Sequence, residues 1–209
     1  MGIFDYHNLL NKNKQLKREE WRVKKITKKT SVVIFFVAIF FVSFAGISFA
    51  KSKEISFRGY AQIETNWCWA ANGQGILNYY SKTVTQCQFV KDGKGTSSCK
   101  NDGGTDNQVK TGLKTKGVTS SNYSGNLTIV DVFKEIDAGR PVYVNWQWTN
   151  REIGHAVTIY GYNQTIDPYR NYIKYSDPSY GAKVTIDYAT FNKDGSGRYW
   201  NSGLRNITK

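Results

Sequence analysis

Hydrophobic positions are distributed very differently in the two ends of this chain. Residues 31–50 are almost wholly apolar, dominated by Phe, Val and Ile, whereas beyond residue 50 the apolar side chains fall into short periodic groups. Across residues 68–80, Ala71, Ile76, Leu77 and Tyr80 recur at roughly helical spacing, with Thr65 and Asn66 as N-cap residues just ahead. This predicts a helix with Cys68 in its first turn. Gly73 and Gly75 each cost about 1 kcal/mol relative to Ala in a helix interior. Such a helix must be held by burial, against a sheet that its small residues approach closely. A second, shorter helix is predicted where Thr128 precedes Ile129, Val132, Phe133 and Ile136 on one face, and Gly139 with Pro141 stops it.

The pattern then changes to strands. Residues 141–148, 155–162, 172–176 and 183–188 are rich in Val, Ile, Tyr and Thr and are separated by turn residues, and a last strand is expected near 198–207. A helical first half followed by an antiparallel β second half defines an α+β fold with a cleft between the two parts.

The apolar run at 31–50 follows a segment, residues 11–30, crowded with Lys and Arg. A positive region, an apolar region and the small residues Ser48 and Ala50 are the marks of a secretory signal cleaved before Lys51, with Ser43 and Ala45 offering an earlier site. About twenty apolar residues are also enough to span a bilayer, so a retained signal anchor is the rival reading. Either way residues 1–50 are a targeting segment and residues 51–209 an exported domain: secreted, or anchored with the domain outside. The exported part has one continuous core and no repeat or linker. It carries 20 of the 29 basic side chains and 13 of the 16 acidic ones, about +7. That excess favours anionic surroundings such as a bacterial wall or a phospholipid surface. No basic helix, zinc spacing or aromatic RNA-binding signature accompanies it, so nucleic acid is not an expected partner.

Export gives the three cysteines meaning. Cys87 and Cys99, twelve apart around a Gly/Lys/Ser-rich loop, are placed to close a disulfide worth about 2–3 kcal/mol. Cys68 is left unpaired, either buried and inert or a reactive thiol. A helix N-terminus stabilises thiolate over thiol, which favours the second. His155, in Gly154-His155-Ala156-Val157, is the only histidine beyond residue 50 and the only candidate base. If residues 155–162 and 172–177 form a hairpin centred near Ile166, facing residue numbers sum to about 332 and His155 meets Asp177. Asn171 would then lie roughly 20 Å along the strand from His155, and Asp167 falls in the turn. Asp177 also begins good turn chemistry, Asp-Pro-Ser-Tyr-Gly. One histidine and no paired-cysteine spacing leave no credible metal site, and phosphate-binding loops are absent; no cofactor is expected.

Gln62 six residues before Cys68, the Trp67-Cys68-Trp69-Ala70-Ala71 run, the Gly-His-Ala-Val strand start and the Asp177-Pro-x-x-Gly run together resemble papain-like cysteine peptidases. The similarity spans most of residues 60–190 and is nearest to the compact bacterial branch, which includes peptidase domains of bacteriocin exporters and papain-like effectors of plant-pathogenic bacteria. The resemblance implies a helical and a β subdomain enclosing a cleft, and a protein or peptide substrate. It also implies a Cys68–His155–Asp177 triad, with the Gln62 side chain and the Cys68 backbone N–H serving the oxyanion. Trp67 and Trp69 would wall the cleft and shield the His–Asp pair, unless they are simply core; Trp146 and Trp148 are candidate substrate contacts. Departures are plain: Thr65-Asn66-Trp67 replaces the Cys-Gly-Ser/Ala run of papain, Asp177 its Asn, and 87 residues separate nucleophile and base where papain has about 130–150. The same chemistry would support acyl transfer, deamidation or wall-peptide amide cleavage, and a decayed site would leave a binding module.

Overall fold

The computed structural model describes residues 15, 17–22, 24, 25, 50–167 and 170–209; the apolar run expected to direct export lies outside them, Ala50 excepted. Residues 49–209 form one compact unit. Its elements run β1 (Lys51–Glu54), α1 (Cys68–Tyr79), α2 (Gln86–Lys94), α3 (Asp106–Lys114), β2 (Thr119–Ser124), α4 (Ile129–Asp137), β3 (Val142–Trp148), β4 (Arg151–Gln164), β5 (Asn171–Asp177), β6 (Ala182–Asp187), α5 (Tyr188–Asn192) and β7 (Arg198–Thr208). The fold is α+β: three helices, then an antiparallel sheet ordered β2-β7-β3-β4-β5-β6, with β1 pairing the far half of β4.

The expected helices at 68–80 and 128 onward and all five expected strands are present to within a few residues. Elements the hydrophobic pattern does not announce are α2, α3, β1, β2 and α5. β2 reads Thr-Ser-Ser-Asn-Tyr-Ser and is largely exposed, an edge strand with little apolar alternation to detect. α2 and α3 are short and polar and are started by caps: Thr85 accepts from the Gln88 amide, and Thr105 and Gln108 form a reciprocal capping box.

α1 is the central helix, its residues from Trp69 to Ala71, Gly73, Gly75, Ile76 and Leu77 all buried. Its two glycines exist for close approach, but to rings and not to the sheet. A Cβ on Gly73 would lie 2.1 Å from the Phe89 ring of α2, and one on Gly75 2.8 Å from the Phe57 ring. Beneath β3 and β7 an aromatic cluster of Trp146, Tyr175, Phe191 and Trp200 packs with ring centroids 4.9–5.3 Å apart. Fully burying side chains of this size contributes about 1.5–3 kcal/mol each. α5, only five residues long, supplies Phe191 to that cluster.

Candidate active site

Cys68 is the first residue of α1, but the helix begins without the side-chain cap expected of Thr65 or Asn66. Trp67 takes the N-cap position and no side chain bonds the first amides. Thr65 and Asn66 are used elsewhere. The Asn101 amide donates to Thr65 Oγ1 at 3.0 Å, the Asn66 amide donates to the Asn101 carbonyl at 3.0 Å, and Asn101 Oδ1 accepts from the Asn66 backbone N–H at 2.9 Å. The neighbouring indoles hold the same loop: Trp67 Nε1 donates to the Lys100 carbonyl and Trp69 Nε1 to that of Asp102. Both rings are buried, and Trp67 does not line the cleft. Both grip residues 100–102; Trp69 also walls the cleft, as expected, while Trp67 takes the core role that was the alternative reading. The loop is closed at its start by the Cys87–Cys99 disulfide, with Cα atoms 5.1 Å apart, while Cys68 is free.

His155 lies in β4 opposite Trp146 of β3. Its Nε2 is 2.8 Å from Asp177 Oδ1. The pairing is reached by a different register from the one counted on sequence. β4 and β5 match Thr158 with Ser176 and Ile159 with Tyr175, and an irregularity follows between Ile159 and Gly161. One step further along, Asp177 comes level with Val157, two residues from His155. At this end of the pair the offset is two, which keeps the side chains here on their own faces, and diagonal neighbours still touch through longer side chains. The counted register was therefore wrong while the partner is the same. Asn171 pairs with Gln164, far up the strand.

Charge around the imidazole favours the imidazolium. Burial opposes it, but hydrogen bonds to Asp177 and to the Cys68 thiol, with the field of both groups, raise the His155 pKa from 6.5 to about 9. Burial likewise works against the Asp177 carboxylate, and its hydrogen bond and ion pair with His155, joined by the Ser179 amide, hold it below the usual range. Ser179 escaped the sequence reading. Its backbone N–H donates to Asp177 Oδ1 at 2.9 Å and its hydroxyl sits 3.4 Å from His155 Nε2. The Asp-Pro-Ser turn signal was visible; its role as a clamp on the carboxylate was not.

Gln62 borders the cleft with Cys68 and His155. Its backbone N–H donates to the Pro178 carbonyl at 2.8 Å, which ties it to the Asp177 turn. Its side-chain Nε2 donates to the carbonyls of Glu64 (2.9 Å) and Thr65 (2.7 Å). Both amide hydrogens thus brace the loop that leads into α1.

The cleft encloses about 1260 Å³ and is lined from both sides, by Trp69 and residues 102–107 on the helical side and by Tyr143, Asn145, Gln147, Trp148 and Gly154 on the sheet side. Trp146 also borders it, although only 2% exposed. Its ring lies 6.2 Å from the His155 ring on one side and 3.8 Å beneath the Arg198 guanidinium, which Asp194 fixes at 2.8 Å. Trp146 is thereby a wall of the imidazole pocket; Trp148 is the more accessible of the two tryptophans. Among the described residues no group of three or more His, Cys, Asp or Glu side chains could hold a metal ion.

Residues 54–203 match the model of the Peptidase_C39 like family. Among solved structures, the peptidase domain of Streptococcus ComA, described as a bi-functional ABC transporter involved in a quorum-sensing pathway, is similar with a TM-score of 0.52 and 15% identity. The match covers 71% of this chain and 97% of that one. UfSP from C. elegans is similar with a TM-score of 0.56 and 12% identity, covering 76% of this chain and 35% of that one. At these identities the likeness concerns the fold. No curated protein matches the sequence.

Proposed function

This chain belongs to the Peptidase_C39 like family and is a cysteine-type peptidase, and we propose that it hydrolyses peptide bonds through Cys68, His155 and Asp177. The observation that carries the assignment is the imidazole held at 2.8 Å by Asp177 in an open cleft that the free Cys68 also lines. Asp177 engages Nε2, which leaves Nδ1 for the thiol and fixes the ring orientation. The Cys68 thiolate attacks the scissile carbonyl carbon, and the C=O π pair moves onto oxygen. Collapse of the tetrahedral intermediate expels the amine, which takes the proton from the His155 imidazolium, and a thioester remains. Water then attacks that thioester as neutral His155 accepts its proton, and collapse of the second tetrahedral intermediate expels the Cys68 thiolate and releases the carboxylic acid, which regenerates the thiolate–imidazolium pair.

The oxyanion needs donors in place before charge develops. The Cys68 backbone N–H, at an uncapped helix start, is one. Gln62 is the second in this proposal, by exchanging one of its two loop carbonyls for the substrate oxygen. The substrate is a protein or peptide entering the cleft.

Residues 1–50 direct the peptidase domain out of the cell in this reading, secreted or anchored. The Cys87–Cys99 bridge supports it, since such bonds persist in oxidising compartments. The net charge of the exported part favours an anionic wall or membrane surface.

The test is to compare wild type with Cys68→Ala on a denatured proteome while following alkylation by iodoacetamide. Wild type should cut peptide bonds, Cys68 should be alkylated faster at neutral pH than a free thiol, and Cys68→Ala should cut at least about a thousandfold more slowly. No cutting combined with ordinary thiol reactivity overturns the proposal. Fast alkylation with release of ammonia or transfer to an amine, and no cleavage, assigns the same site to deamidation or acyl transfer.

A further inference from the structure

One buried amide spans the nucleophile helix and the strand that carries the base. Asn72 lies one turn after Cys68 in α1 and is only 4% exposed. Its Nδ2 donates to the Cys68 carbonyl at 2.8 Å and to the Ala156 carbonyl at 2.9 Å, and its Oδ1 accepts from Thr158 Oγ1 at 2.6 Å. Asparagine is a mediocre helix former, and a buried amide is unfavourable unless its hydrogen bonds are made. Here both amide hydrogens and the oxygen are satisfied. The two carbonyls it joins belong to Cys68 itself and to the residue that follows His155.

That placement matters because apolar contact is non-directional and allows helix and strand to slide. Hydrogen bonds of 2.6–2.9 Å fix a distance and an angle. A planar group with two donors and one acceptor is needed to bind two carbonyls and one hydroxyl. Aspartate has the shape without the donors, and leucine has roughly the volume without either.

We propose that Asn72 is a positioning residue that sets the separation of Cys68 and His155, and so the fraction of enzyme in which thiolate and imidazolium face one another. This rests on the assignment of those two residues above. Asn72 touches neither substrate nor the reacting atoms; it acts through the backbone of both partners.

The experiment uses the full chain with Asn72→Asp, Asn72→Leu and Thr158→Val. It measures iodoacetamide alkylation of Cys68 from pH 5 to 10, kcat and KM on a cleaved peptide, and thermal unfolding. With Asn72→Asp, kcat should fall by about a hundredfold with KM little changed, as for a misplacement of about 1 Å. The enhanced alkylation near neutral pH should disappear. Thr158→Val keeps both donations but releases the amide oxygen, and should reduce kcat and neutral-pH alkylation by about three- to tenfold. A folded Asn72→Asp or Asn72→Leu protein with the wild-type alkylation profile overturns the proposal. Should neither fold, a wild-type profile in Thr158→Val does so. Wild type that itself lacks enhanced alkylation sinks the Cys68–His155 assignment instead, which separates the two failures.

Discussion

On the helical side of the cleft Cys68 is held by a loop, and on the sheet side His155 is held by a ladder and a stack of rings. The surroundings of Cys68 are assembled from side-chain and covalent ties between distant loops: the Asn66–Asn101 pair, two indole N–H bonds to Lys100 and Asp102, and the Cys87–Cys99 bridge. His155 is placed by strand pairing with β3, by Trp146 under Arg198, and by one carboxylate. Perturbing the first should loosen where the thiol sits without changing the titration of its partner. Perturbing the second should change stability and the charge state of the imidazole together.

The largest expected effect is on the sheet side. Trp146→Ala removes a 2%-exposed ring from a cluster shared with Tyr175, Phe191 and Arg198. It should cost about 3–5 kcal/mol in denaturant unfolding, since large-to-small changes leave a cavity as well as losing transfer free energy. Activity of the folded fraction should fall too, because His155 loses a wall. Normal activity per folded molecule would show that the strand ladder alone fixes the ring.

Breaking the bridge tests the helical side. Cys87→Ser with Cys99→Ser opens a loop of twelve residues in sequence separation and should lower stability by about 3 kcal/mol. At a temperature where the variant is folded, the pH dependence of the reaction should be that of wild type. A moved alkaline limb would mean that the loop reaches His155 and that the division drawn here fails.

Asp177→Asn perturbs the sheet side again, chiefly through the titration of the imidazole. With the His155 pKa raised to about 9, the imidazolium is present below that pH and lost as pH rises through it, so activity should decline on that limb. Removing the carboxylate removes an interaction that favours the charged ring, so the limb should move down toward 6.5, by about one to three units. The same sign governs stability. The imidazolium's contribution is complete below pH 6.5 and lost through about 9; that of the lowered Asp177 is present above its unfolded value near 4 and lost in acid. The pair is intact between these limits. An unmoved limb would assign it to another group.

The same division explains what could be read from the sequence. The α+β order, the helix opening at Cys68 and the five β-rich runs announce themselves because burial imposes a period on the residues that face the core. Asp177 was reached through a register two residues off, and survived because strand alternation repeats every two residues. The contacts that fix the helical side carry no periodicity. Nothing local distinguishes Asn101 as the partner of Thr65 and Asn66, or tells that Trp67 and Trp69 serve residues 100–102. Asn72 left one trace, a polar residue four after Cys68 set between the small residues Ala71 and Gly73, but its partners Ala156 and Thr158 lie more than eighty residues away. Gln62 was found by spacing, while the use of both its amide hydrogens by Glu64 and Thr65 depends on the loop's path.

The smallest perturbation sharpens the contrast most cleanly. Thr105 caps α3 at the rim of the cleft, accepting from the Gln108 amide while the Gln108 side chain returns a bond to the Thr105 N–H. Thr105→Ala removes one half of this box and should cost about 1 kcal/mol. Thr105 lines the cleft beside Asp102, Gly104 and Asp106. A frayed α3 start would therefore loosen the helical wall against which substrate lies, without touching the ladder that holds His155. The expected result is a modest rise in KM, an unchanged alkaline limb and an unchanged rate of Cys68 alkylation. If alkylation slows instead, the rim is coupled to the thiol through Trp69, whose ring packs so tightly on Gly104 that a Cβ there would lie 2.2 Å from it. The loop would then be part of what places the nucleophile, not only the surface on which substrate rests.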